Sequence, residues 1–141
     1  MQISQVKQRV LEAMDRAKRA AAERRTRIDD AAREYEVFLQ TLAVPLFHQI
    51  ANVLRAEGYA FNVFTPAGSV RLMSDRSAED YIELMLDTTG DLPRVVGHAS
   101  RGRGRRVIES ERPLGDAAIG DLTEDDVLRY VMKELEPFVE R

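Results

Sequence analysis

From Ile3 to Leu42 the chain contains neither glycine nor proline. The run is filled by Ala, Glu, Arg, Lys, Gln and Leu, the residues that cost least in a helix. Apolar residues recur every three or four positions: Ile3, Val6, Val10, Ala13, Met14, Ala17, Ala20, Ala21, then Ile28, Ala31, Tyr35, Phe38 and Leu42. That spacing lays one apolar stripe along a helix, with charges such as Lys7, Glu12, Arg16 and Glu23 off it. The stripe falters at Arg24 and Arg27, so an uninterrupted heptad seam is not supported.

Length then constrains shape. A helix over residues 2 to 43 would run about 60 Å. The residues after it make a body of radius of gyration about 13 Å. Such a helix overhangs its body, and an apolar stripe left in water is a binding surface. The simplest cover is the same stripe on a second copy. Self-association is therefore expected through Ile3, Val6, Val10, Ala13, Met14, Ala17, Ala21 and Ile28, coiled-coil fashion. Small alanines bury little area, so this packing should stabilise less than that at the Phe38 end. The competing arrangement is a hairpin broken near Arg24 to Asp30, with Thr26, Asp29 or Asp30 capping a second helix. No turn residue sits there, which counts against it.

Pro45 removes a backbone donor, so the helix should kink near Thr41, or end at Val44 and restart with Pro45 in a first turn. Leu46, Ile50, Val53 and Leu54 continue the helical period. Gly58 reads as the residue past the helix end. The period then drops to two. Tyr59, Phe61 and Val63 begin a first strand, Val70 and Leu72 a second, and Ile82, Leu84 and Leu86 a third. Arg94 to Ser100 and Arg105 to Glu111 make the fourth and fifth. Short connections without helices imply an antiparallel meander. Thr123 caps a last helix whose apolar face is Val127, Leu128, Val131 and Leu135, with Pro137 ending or kinking it. The expected class is α+β: a long N-terminal helix over 1–44, then a globular unit over 45–141 with four or five antiparallel strands and a C-terminal helix on the sheet.

With 141 residues, 44% of them apolar, the chain can build one core. The absence of cysteine removes disulfides, thiolate nucleophiles and Cys-ligated metals, and fits a cytoplasmic location. No signal-type core or unbroken apolar run of bilayer length stands out, so no membrane partner is expected. The net charge of −3 is mild but unevenly spread. Basic residues dominate up to Arg33 and again from Arg101 to Arg112, and acidic ones from Glu34 to Asp91 and from Asp116 to Glu140.

The most conspicuous local feature is Arg101-Gly102-Arg103-Gly104-Arg105-Arg106. Arginine forks bind phosphate bidentately, so Arg101, Arg103, Arg105 and Arg106 are candidates for an anion, nucleic acid or acidic partner. The same residues equally suit a soluble hairpin tip, and no aromatic lies beside them for base stacking. The basic face Lys18, Arg19, Arg24, Arg25 and Arg27 is read as a solvated face with pairs such as Glu12–Arg16 and Asp29–Arg33. His48 and His98 are isolated, and the Ser100 spacing beside His98 is a weak pairing. No catalytic, metal or dinucleotide motif is present. The expectation is a non-enzymatic, homo-oligomeric interaction protein without cofactor. Nucleic-acid or phosphate binding through the Arg101 to Arg106 segment together with the basic helix face is the alternative.

Overall fold

The computed structural model describes residues 2 to 140. It shows an α+β fold whose first 54-residue helical stretch, Ile3–Ala56, is unbroken. At 1.5 Å per residue this rod is about 80 Å long. It consists of α1 (Ile3–Phe38), a π-helical turn (Leu39–Ala43) and α2 (Val44–Ala56). Of the two outcomes expected at Pro45, a kink near Thr41 or a break at Val44, the helix does not break; it passes through an expanded turn at Leu39–Ala43. Pro45 has no N–H for the Thr41 carbonyl, and its ring would crowd that carbonyl in a regular helix. The chain widens just before it, with the Val44 N–H reaching back five residues to the Leu39 carbonyl. The Thr41 hydroxyl donates to the Val37 carbonyl at 2.6 Å.

No hairpin forms near Arg24. The Thr26 hydroxyl caps nothing and donates to the Ala22 carbonyl at 3.1 Å within the continuing helix. The surface pairs also differ from expectation. Asp15 pairs with Arg19 at 2.6 Å, Arg33 takes Asp30 rather than Asp29, and Glu12 accepts from Gln8 instead of pairing with Arg16. At its end the helix closes as the sequence suggests. Gly58 adopts φ 92°, and the Tyr59 N–H donates to Leu54 O at 2.8 Å, a Schellman closure.

Five strands follow in the order β1 (Phe61–Phe64), β2 (Ser69–Ser74), β3 (Tyr81–Asp87), β4 (Arg94–Arg103) and β5 (Arg106–Pro113), each antiparallel to the next. After a 3-10 turn (Ile119–Asp121), α3 (Glu124–Val139) opens on a capping box between Thr123 and Asp126. Pro137 lies inside α3 without ending it.

Alternation sorts the sheet into two faces. Phe61, Val63, Val70, Leu72, Ile82, Leu84, Val95 and Ala99 point to the helices and join one core with Tyr35, Phe38, Phe47, Ile50, Val127 and Val131. Tyr130, missed as a core position by the apolar pattern, sets the phenol end of its ring against Gly97, and Phe138 packs edge-on against Phe61 at 5.9 Å between centroids. Residues 37 to 54 carry no Asp, Glu, Lys or Arg, which makes the long helix apolar enough to cross a membrane by length and composition. Counting only unbroken apolar runs passes over this stretch. Here it is the central core helix, with Phe38, Leu39, Ala43, Leu46, Phe47, Ile50, Ala51 and Leu54 buried.

Candidate self-association surface

Burial along the rod changes abruptly at its middle. Ala31, Tyr35, Phe38 and Leu39 are buried against the body, whereas every residue from Ile3 to Arg27 is exposed except half-covered Ala21. The free part is therefore about 37 Å of helix. Its large apolar side chains stand in water: Ile3 is 88% exposed, and Val6, Val10, Leu11 and Met14 are each about half exposed. Of the residues expected to self-associate, Ile3, Val6, Val10, Ala13, Met14 and Ala17 touch no other part of the body; Ala21 and Ile28 are half-covered.

The stripe keeps its phase as it enters the body. At about 100° per residue, Ile3, Val6, Val10, Met14, Ala17, Ala21 and Ile28 share an arc of about 120° with Ala31, Tyr35 and Phe38. The face that lies bare at the free end is thus the face that grips the core further on. Tyr35 fixes this orientation, since its hydroxyl donates to the Gly68 carbonyl at 2.7 Å.

Charge divides at the same place. Residues 1 to 27 hold eight basic and three acidic side chains, a net of +5, which leaves −8 on the rest of a chain whose total is −3. Where the rod leaves the body there is a groove of about 900 Å³. Its walls are Arg27 to Glu34 of α1, the β3–β4 turn and the segment before the 3-10 turn, and its carboxylates are Asp30, Glu34, Asp87, Asp91 and Asp116. Asp30 is engaged by Arg33 and Asp87 faces Arg94 at 3.9 Å, while Glu34, Asp91 and Asp116 have no ion-pair partner among the described residues. Asp87 also accepts from the Thr89 hydroxyl at 2.6 Å and the Thr89 N–H at 2.9 Å, and these bonds hold its carboxyl below the usual range.

The arginine segment is a two-residue hairpin rather than a loose loop. Arg101, Gly102 and Arg103 end β4, Gly104 and Arg105 form the turn, and Arg106 starts β5 opposite Arg103. Of the two turn residues, Gly104 alone has positive φ, 64°, as a type II′ turn requires. Arg101, Arg103 and Arg106 share one face of this ribbon by alternation. None of the four guanidinium groups makes an ion pair or hydrogen bond among the described residues. The flanking Gly102 N–H is held by the Asp80 carboxylate at 2.8 Å.

His48 is exposed on α2. His98 does not hydrogen-bond Ser100. It stacks on Tyr81 at 5.8 Å and faces Glu109 at 3.5 Å. The same helix-free sheet face holds a group that spacing did not reveal. Glu83 is buried, accepts from the Ser69 hydroxyl and from Arg71 Nε, both at 3.0 Å, and Arg71 in turn lies 4.0 Å over the Tyr81 ring. The alternation of polar residues on β2 and β3 was legible, but only the pairing register, Arg71 opposite Glu83 opposite His98, joins them. Among the described residues no three His, Asp or Glu side chains converge as metal ligands would.

In comparisons with protein-family models, curated proteins and solved structures, nothing matches this chain.

Proposed function

We propose that this chain is a homo-oligomeric, non-enzymatic interaction protein that self-associates through its projecting N-terminal helix. The observation that carries the reading is the apolar stripe from Ile3 to Ile28, bare over about 37 Å and in phase with a stripe that is buried further along the same rod. Water-exposed apolar area of this regularity lowers its free energy by finding a matching surface, and a second copy supplies one by construction. The test is a Val10→Asp/Met14→Asp variant, which places charges in the middle of the seam but outside the core. Light scattering should give a monomer with unchanged helix content. A variant that keeps the mass of an oligomeric wild type would remove the stripe from the interface.

The unpaired arginines favour a second reading, a phosphate-bearing partner at the β4–β5 tip, because directly opposed Arg103 and Arg106 repel until an anion lies between them. A short DNA duplex is the probe. Binding should fall steeply with salt and weaken on replacing Arg103, Arg105 and Arg106 by alanine. Equal affinity in that triple variant ends this reading.

A further inference from the structure

Resting on the self-association reading, we infer that the two helices pair antiparallel, each bringing its first turn to the acidic groove at the base of the other's helix. Sterics favour this orientation. The seam residues and the core-gripping residues Ala31, Tyr35 and Phe38 lie on one side of one continuous helix. A partner helix seated parallel on the seam would continue along that side and run into the first copy's body, because its own rod extends unbroken to Ala56. Run antiparallel, its body lies beyond the first copy's free end and nothing collides.

Electrostatics favour it as well. Two segments of +5 side by side repel in either orientation. Only the antiparallel pairing sets each basic end against acidic protein. With Ile3 opposite the partner's Ile28, the first turn stands level with Arg25 to Ile28, at the mouth of the groove whose carboxylates include Glu34, Asp91 and Asp116. The helix end points the same way. α1 starts without a side-chain cap and without an acidic residue in its first turn, so nothing among the described residues offsets its positive dipole end. The partner's carboxylates supply that compensation.

The natural lack of cysteine makes the test clean. In the full chain, Gln5→Cys carries one spin label per copy, and pulsed electron resonance reads the distance across the oligomer. The antiparallel register puts Gln5 opposite the partner's Thr26, so the two labels stand about 30 Å apart along the axis. Mixing Gln5→Cys with Ala117→Cys, in the groove wall, should add a separation below about 20 Å. Labels about 10 Å apart in Gln5→Cys alone would mean parallel helices and overturn the orientation while leaving self-association standing. No intermolecular distance at all, with a monomer mass, would overturn both.

Discussion

Substituting Gly97 by alanine should cost more than any other single methyl group in this chain. Gly97 sits in β4 between Leu84 and Arg112 of the neighbouring strands, on the face turned to the helices. A Cβ there would lie 2.5 Å from the Tyr130 phenol oxygen and closer still to two ring carbons. Ordinary carbon contacts are about 3.5–4.0 Å, so the ring would have to withdraw by more than about 1 Å. It has little room to do so, because Tyr130 is 7% exposed and its neighbours Val127 and Val131 are wholly buried. Overpacking of this kind costs about 1–3 kcal/mol, and an interior strand backbone that cannot yield argues for the upper end. For a chain of this size that lowers Tm by about 10 °C. Urea unfolding followed by circular dichroism, at one fixed protein concentration, measures it. Tyr130→Leu, which removes the colliding ring end, should make the double variant less unstable than the two single losses added together. A Gly97→Ala protein that unfolds at the wild-type midpoint would refute the packing described here.

Tyr130→Phe should be neutral or stabilising by up to about 1 kcal/mol, since its hydroxyl is buried without a partner among the described residues and its desolvation is not repaid; a clear loss in the same urea assay would reveal a bond the fold does not show. Burial pushes the Tyr35 and Tyr130 phenols well above the ordinary tyrosine value, with Glu36 and Glu134 adding to the respective shifts. A folded-state pKa raised above the unfolded one contributes stability that is complete below about pH 10 and is lost as pH rises through the folded value. Stability should therefore fall in the alkaline range, and these two residues should ionise only as the protein unfolds; ultraviolet titration showing all four tyrosines ionising together in the folded state would contradict this. Glu83→Ala strips the acceptor from Ser69 and Arg71 and should cost about 1–3 kcal/mol, moderated because Arg71 still reaches water; Glu83→Gln should lose less, and an order reversed in urea unfolding would show that charge, not bonding, governs the site.

Much of the fold follows from local rules that act within a few residues. The Gly- and Pro-free run writes the long helix, the period-two stretches write β1 to β5, and Gly58 and Thr123 mark a helix end and a helix start. What local pattern could not give is whatever depends on partners distant in sequence. Pro45 is tolerated because the preceding turn widens, a choice between kink, break and π-turn that packing decides. Tyr130 belongs to the core because Gly97 leaves space for its ring 33 residues away, and no periodicity signals that. The arginine segment is sharper than composition implies, since register pairs Arg103 with Arg106. The Glu83–Arg71–Tyr81–His98 row exists only after three strands align. The overhang, by contrast, was legible from length alone, because a rod of that many residues cannot be hidden by so small a body.

Sedimentation equilibrium of the wild-type chain over a wide concentration range tests this reading of the overhang most directly. A bare seam that a second copy covers predicts an apparent mass rising with concentration from the 16.0 kDa chain toward twice that value. A mass that stays at 16.0 kDa throughout would contradict it, and would leave the projecting helix without the partner on which the proposal depends.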